Sequence, residues 1–194
     1  YRSNYRRGCV LKISADGEQV EQVATGVRYL MSLQFNRHGD LFASEQEGAT
    51  WLRNCIPFDE LLRIESGRHY GFPPRHPKHL PGVIDEPSVF DFAPQHQSIC
   101  GFRFNESGAG RGRFGPESWE GDALLTGQSR GKLYRTKLVK TPAGYVAQNQ
   151  LIAALPTLAV DCALSPRGEL VVATHTGKPD WGTGPAGLGK IFKI

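Results

Sequence analysis

The chain has 194 residues, 39% hydrophobic and 22% charged, with a formal net charge of +4. It is long enough to bury a sizeable core without disulfide or metal staples, and its mild basic excess lacks the aromatic-interleaved stripe of a nucleic-acid surface, so no nucleic-acid partner is expected. No apolar run approaches the ~18 residues of a membrane span, and the four scattered cysteines (Cys9, Cys55, Cys100, Cys162) form neither a CxxC nor a CxxCH, which argues against a zinc knuckle or an attached c-type haem.

In chain order the apolar runs are short and punctuated. Gly8 to Ile13 leads through a polar turn at Asp16-Gly17 to a strand-like Gln19 to Thr25. Strands are predicted next at Leu30–Phe35 and Asp40–Ser44, joined by the turn Arg37-His38-Gly39. From Gln46 to Gln97 the pattern gives way to a loop-rich insertion that carries most of the prolines and four of the six histidines, His69, His76, His79 and His96. Pro77 denies His76 and His79 a shared helical face, so these read as histidines without a metal.

Inside the insertion, Pro57 to Pro74 reads PFDELLRIESGRHYGFPP. Asp59 and Glu60 precede Leu61, Leu62 and Ile64, a run that suits either a short strand or one helical turn. Gly71 and Pro73-Pro74 then make a stiff loop around His69 and Tyr70. Tyr70 should be buried, and Asp59 or Glu60 should bond to backbone amides or to Arg28.

Strands resume at Ile99–Phe104, Ala123–Thr126, Lys132–Leu138, Tyr145 to Ala153, Cys162–Leu164, Leu170–Ala173 and Lys190–Ile194. The order of apolar strand, glycine turn, apolar strand recurs at Gly39, Gly121 and Gly168. Gly121 and Gly168 stand about one propeller blade apart, roughly 40–50 residues. The expected fold is therefore all-β, a single partial β-propeller domain over residues 1–194 with about three to four four-stranded antiparallel blades. Beginning at Tyr1 without a signal-like stretch, the chain reads as a piece of a longer protein.

The segment DELLRIESGRHYGFP resembles the DELNxxxxGxxYGWP signature of the soluble PQQ-dependent sugar dehydrogenases and their glucose/sorbosone dehydrogenase relatives, which are six-bladed propellers. Thr25 to Gly48 is similar to that family's GxRNPxGLxFxPxGxLxxxExG segment, and the C-terminal VDCALSPRGELVVATHTGKPDWGTGPAGLGKIFKI is similar to its bacterial branch of membrane-bound dehydrogenase domains. The resemblance implies a C-terminal part of such a propeller, periplasmic or extracellular, oxidising a sugar or alcohol hydroxyl with PQQ. Its partners would be the remaining blades or a cytochrome c domain.

Residue by residue, the resemblance gives Arg28 and Arg130 as contacts to the quinone carboxylates, where a planar guanidinium suits best. Gln46, Gln128 and His175, each following a predicted inner strand, read either as repeat-related polar residues converging near the cofactor at one mouth of the channel or as hydrogen-bond partners of neighbouring loops. Calcium would take carbonyls of Gly48 and Ala49 and carboxylates of Glu45, Asp59 or Glu60. Three positions depart from the family: Ser129, Leu158 and Val160 stand where it has Lys, Arg and Arg, with Asp161 retained. The chain alone is therefore expected to be inactive. The second reading is a propeller without redox chemistry that binds a carbohydrate or a protein.

Overall fold

The computed structural model of the chain describes residues 6–46, 58–72, 88–93, 97–108, 110–176 and 188–194. They form thirteen strands: β1 (Cys9–Ile13), β2 (Val20–Thr25), β3 (Leu30–Phe35), β4 (Leu41–Glu45), β5 (Asp59–Ile64), β6 (Phe90–Phe92), β7 (Ile99–Phe104), β8 (Ala123–Gly127), β9 (Lys132–Thr141), β10 (Gly144–Ala154), β11 (Leu158–Leu164), β12 (Leu170–His175) and β13 (Ile191–Lys193). Every sheet is an antiparallel meander of consecutive strands: β1-β2, β3-β4-β5-β6, β7-β8-β9-β10 and β11-β12-β13. Strands β3, β7 and β11 open their sheets and pack side by side. This is an arc of propeller blades.

Apolar side chains fill the gaps between neighbouring sheets. Val10, Ala24, Ala43, Leu62, Ile64 and Tyr70 pack between the first two sheets. Phe42, Leu61, Phe92, Phe102, Phe104, Leu125 and Tyr134 pack between the second and third, and Leu124, Leu133, Cys162, Leu170 and Val172 between the third and fourth. Adjacent residues on one strand thus enter different cores, Leu61 and Leu62 on β5 and Leu124 and Leu125 on β8. A strand buried on both faces reads as an apolar run rather than an alternation, which is why Leu61-Leu62-Ile64 admits two readings in sequence.

The glycine turns repeat in detail. Asn36, Asn105 and Ser165 each donate their backbone amide to the carbonyl of the residue just before the next strand, Asp40, Asp122 and Glu169, at 3.0, 2.8 and 2.9 Å. Gly39, Gly121 and Gly168 sit there with φ of 77°, 84° and 82°, a region only glycine occupies without strain. The middle copy is lengthened by a loop containing the short 3-10 turn Glu117–Trp119.

One expectation changes. Two strands of the second sheet, β5 and β6, lie inside the stretch read as insertion, so Asp59 and Glu60 stand on a buried strand and not in a loop. Paired strands satisfy the backbone groups that a buried loop would leave open. Tyr70 is buried as expected, donating its hydroxyl to the Arg63 carbonyl at 2.5 Å. His76, His79, His96 and Cys55 lie outside the described residues, whereas His69 is partly buried beside Gly26, with its pKa lowered by that burial.

At the turn end, Asp40 ties two sheets together. Its carboxylate accepts from Lys140 Nζ at 2.7 Å, Tyr145 hydroxyl at 2.6 Å and Arg63 Nη2 at 2.9 Å. Burial alone would raise its pKa, but the Lys140 and Tyr145 hydrogen bonds and the Arg63 charge hold it down to about 2. A carboxyl depressed from 3.8 in this way stabilises the fold above its unfolded pKa and loses that contribution as pH falls towards 2. Asp40→Asn should lower unfolding free energy by about 1–3 kcal/mol at neutral pH, and denaturation curves of the variant should converge on those of the parent between roughly pH 4 and 2.

Candidate functional site

The opposite end of the arc gathers the starts of β3, β7 and β11 with the ends of β4, β8 and β12. Glu45, the last residue of β4, is fully buried and accepts the Arg28 backbone amide on Oε1. The Arg28 guanidinium, half-buried, donates through Nη1 to the Gln46 carbonyl at 2.6 Å. Arg28 therefore braces the start of β3 against the end of β4. Gln46 reaches the next sheet, with Nε2 3.2 Å from both the Ile99 carbonyl and the Cys100 Sγ. Ser44 makes a parallel link, its hydroxyl donating to the Cys100 carbonyl at 2.5 Å.

Asp59 and Gln97 extend this polar layer. Asp59 Oδ2 accepts the amides of Gln97 at 2.8 Å and Ile99 at 3.3 Å, fixing the entry to β7. Gln97 Oε1 in turn accepts from Lys132 Nζ at 2.5 Å and from the Tyr134 hydroxyl at 2.8 Å. Burial and the Asp59 charge push both Tyr134 and the Cys100 thiol up to about 12, and burial followed by the Arg130 charge lowers Lys132. Cys100 is thus a neutral hydrogen-bonding thiol and no nucleophile. The sequence does not single out Gln97, Ser98, Cys100 or Lys132. Only the crowding of polar residues just ahead of Ile99 hints at them.

Gln128 and Ser129 lie on the third sheet at the same end, their amides donating to the carbonyls of Ser98 at 2.9 Å and Gln97 at 3.1 Å. Arg130 is exposed with φ of 68°, in the 3-10 turn Ser129–Gly131. Gly131 is required there, because a Cβ would stand 2.2 Å from the Thr157 carbonyl oxygen. The retained Asp161 lies over Gly101 on β7, so close that a Cβ on Gly101 would fall 1.8 Å from Asp161 Oδ1. Leu158 is buried, and Arg103 approaches Asp161 at 3.8 Å.

Gln46, Gln128 and His175 each stand seven positions after the turn glycine of their sheet, Gly39, Gly121 and Gly168. Glu45, Gly127 and Thr174 pair with Leu30, Ile99 and Ala159, and in each opening strand the register shifts just after that pair. Gln46, Gln128 and His175 follow those positions and so correspond across the three sheets, with β11 adding one further pair, Leu158 with His175.

The metal candidates divide. Glu45 and Glu60 face each other across β4 and β5, both buried, and Glu60 pairs onward with Asp91 on β6. Gly48 and Ala49 lie outside the described residues. Among the described residues no group of three or more His, Cys, Asp or Glu is arranged to hold a metal ion. Asp59→Asn should cost about 1–3 kcal/mol of stability through its two amide bonds. Urea titrations with Ca²⁺ and with EDTA should give the same loss, and a Ca²⁺-dependent loss would instead assign Asp59 to a metal.

No family model matches the sequence, and no curated protein matches it. Solved structures do match in shape. The PQQ-bound aldose sugar dehydrogenase from Streptomyces coelicolor superposes with a TM-score of 0.67 at 21% identity, over 98% of this chain and 53% of its own. A glucose dehydrogenase gives 0.65 at 16% identity, over 96% and 54%. The soluble apo aldose sugar dehydrogenase from Escherichia coli gives 0.60 at 16%, over 93% and 48%. The chain spans about half the length of these structures, and its fold is that of a partial sugar dehydrogenase-like β-propeller.

Proposed function

We propose that this chain is part of a sugar dehydrogenase-like propeller, and that the end carrying Arg28, Gln46 and Gln128 forms one side of the mouth that receives a sugar or alcohol. The observation that carries this reading is the superposition of nearly the whole chain on half of each sugar dehydrogenase, with the strand-start ends of three successive sheets side by side. The remaining partner on this reading is the other set of blades. Leu33 and Phe35 on β3 are 44% and 67% exposed and line a cavity of about 640 Å³ with Val10, Leu11 and Ile13 of β1. Apolar surface of that kind suits a further sheet.

The described residues do not by themselves fit PQQ, whose carboxylates need several fixed cations. Arg28 spends Nη1 on the Gln46 carbonyl, Leu158 is buried and apolar, and Ser129 donates its amide to Gln97. Arg130, exposed, is the cation of the proposed set that remains open to solvent, with His175 exposed beside the next sheet. Any quinone would therefore depend on residues outside those described, and the electron acceptor, a cytochrome c domain included, would lie there too. For calcium the buried Glu45–Glu60 pair is the fitting part, joined on this proposal by the Gly48 and Ala49 carbonyls. A periplasmic or extracellular site of action accords with this reading.

The test separates dehydrogenase from binder. The chain alone, supplied with PQQ, Ca²⁺, an aldose and an artificial acceptor, should give no turnover, while the same chain joined to the missing half of a propeller should reduce the acceptor. Turnover by the chain alone would overturn the fit argument. Sugar binding by calorimetry without turnover in the completed protein would favour the non-catalytic, carbohydrate-binding alternative.

A further inference from the structure

Strand β10 is the outermost strand of its sheet, paired with β9 on one side and with no other strand among the described residues on the other. An open strand edge is a template for a further strand, and folded proteins blunt such edges with charge, proline or shortness. The other outer strands follow that rule. β2 carries Glu21, β6 has three residues with Asp91 among them, and β13 has three with Lys193. β10 has eleven residues, GYVAQNQLIAA, without a single Asp, Glu, Lys, Arg or Pro. Its one irregularity is a register shift between Leu151 and Ala153, near the far end.

The strand is also close to symmetrical in chemical class about Asn149. Gln148 mirrors Gln150, Ala147 mirrors Leu151, and Val146 mirrors Ile152. Two copies laid antiparallel with Asn149 on the dyad set amide against amide and aliphatic against aliphatic, the pairings that favour cross-strand contact. We propose that β10 is a self-association edge, pairing antiparallel with β10 of a second copy of this chain to join two four-stranded sheets into one of eight.

Charge does not oppose this. The cations of β9, Lys132, Arg135, Lys137 and Lys140, stand one strand back. Across the dyad they face their counterparts over three strand spacings, about 14 Å, which exceeds the screening length of about 8 Å at physiological ionic strength. Val146 and Leu151, 62% and 52% exposed, gain cover. The centre of the strand is already ordered, since the Thr136 hydroxyl donates to Asn149 Oδ1 at 2.8 Å. An edge pairing of this length falls below the roughly 1,200 Å² of standard interfaces, so association should build with concentration.

Sedimentation of the full chain from micromolar to hundreds of micromolar should show the mass doubling, and Val146→Lys with Leu151→Lys, two exposed changes, should hold it monomeric with an unchanged circular dichroism spectrum. Oxidative crosslinking gives an independent readout. Asn149→Cys, next to its own copy on the dyad, should form an intermolecular disulfide that the parent does not. Val146→Cys, exposed and three positions off the dyad and so about 20 Å from its copy, should form none. A chain monomeric throughout, a dimer indifferent to the lysines, or equal crosslinking at positions 146 and 149 would each overturn the proposal, as would an edge that takes up only peptides of other proteins.

Discussion

Leu61 and Leu62 are neighbours on β5, yet one packs against Phe42 and Phe102 and the other against Ala43 and Tyr70. That two-sided burial is the constraint on which the rest of the arc depends. Each apolar side chain of this size contributes about 1.5–3 kcal/mol when fully buried, and both faces of a middle sheet collect such terms. A sheet in the middle is therefore held from two sides and a sheet at an end from one. Stability in such an array is close to a sum over sheets and their junctions. The exposed Leu33 and Phe35 mark a junction where β3, beside β7 on one flank, has no opening strand on the other among the described residues.

Among the described residues, charged and amide side chains gather at the two ends of the sheets. At the turn end Asp40 gathers Arg63, Lys140 and Tyr145. At the strand-start end Ser44, Gln46 and Asp59 all bond to the entry of β7. An unbonded buried polar group would cost about 1–3 kcal/mol, so these ties are tolerated because they are satisfied. The same satisfaction limits what the strand-start end can do chemically. Side chains already spent on neighbouring carbonyls orient the mouth of a site more than they grip a ligand, and Arg28 is the clearest case.

Much of the fold can be read from the order of residues. Strands β3 and β7 match their predicted limits, and the turn glycines 39, 121 and 168 fall in equivalent hydrogen-bonded turns. The strand character of Asp59–Ile64 is ambiguous in sequence because a strand covered on both faces loses its alternation. β6, with three residues, is too short to register. The site is less legible. Motif positions identify Arg28, Gln46 and Asp59 as part of one end, and the spacing from the turn glycines puts Gln46, Gln128 and His175 at corresponding places. Gln97 and Cys100 contribute through geometry across sheets distant in sequence, which no local pattern encodes.

The sheet order also bears on how the chain comes to be folded. Every sheet uses strands that follow one another directly, so each can zip up from contacts close in sequence, with little loop entropy to overcome. The Asp40–Tyr145 and Asn36–Tyr145 bonds are different, joining residues 105 and 109 positions apart. Until Tyr145 has left the ribosome, Asp40 has neither its hydroxyl nor the Lys140 ammonium to neutralise it. The second sheet must then stand on its own apolar packing while the third is being made, and the ionic clamp locks a junction already formed instead of guiding it.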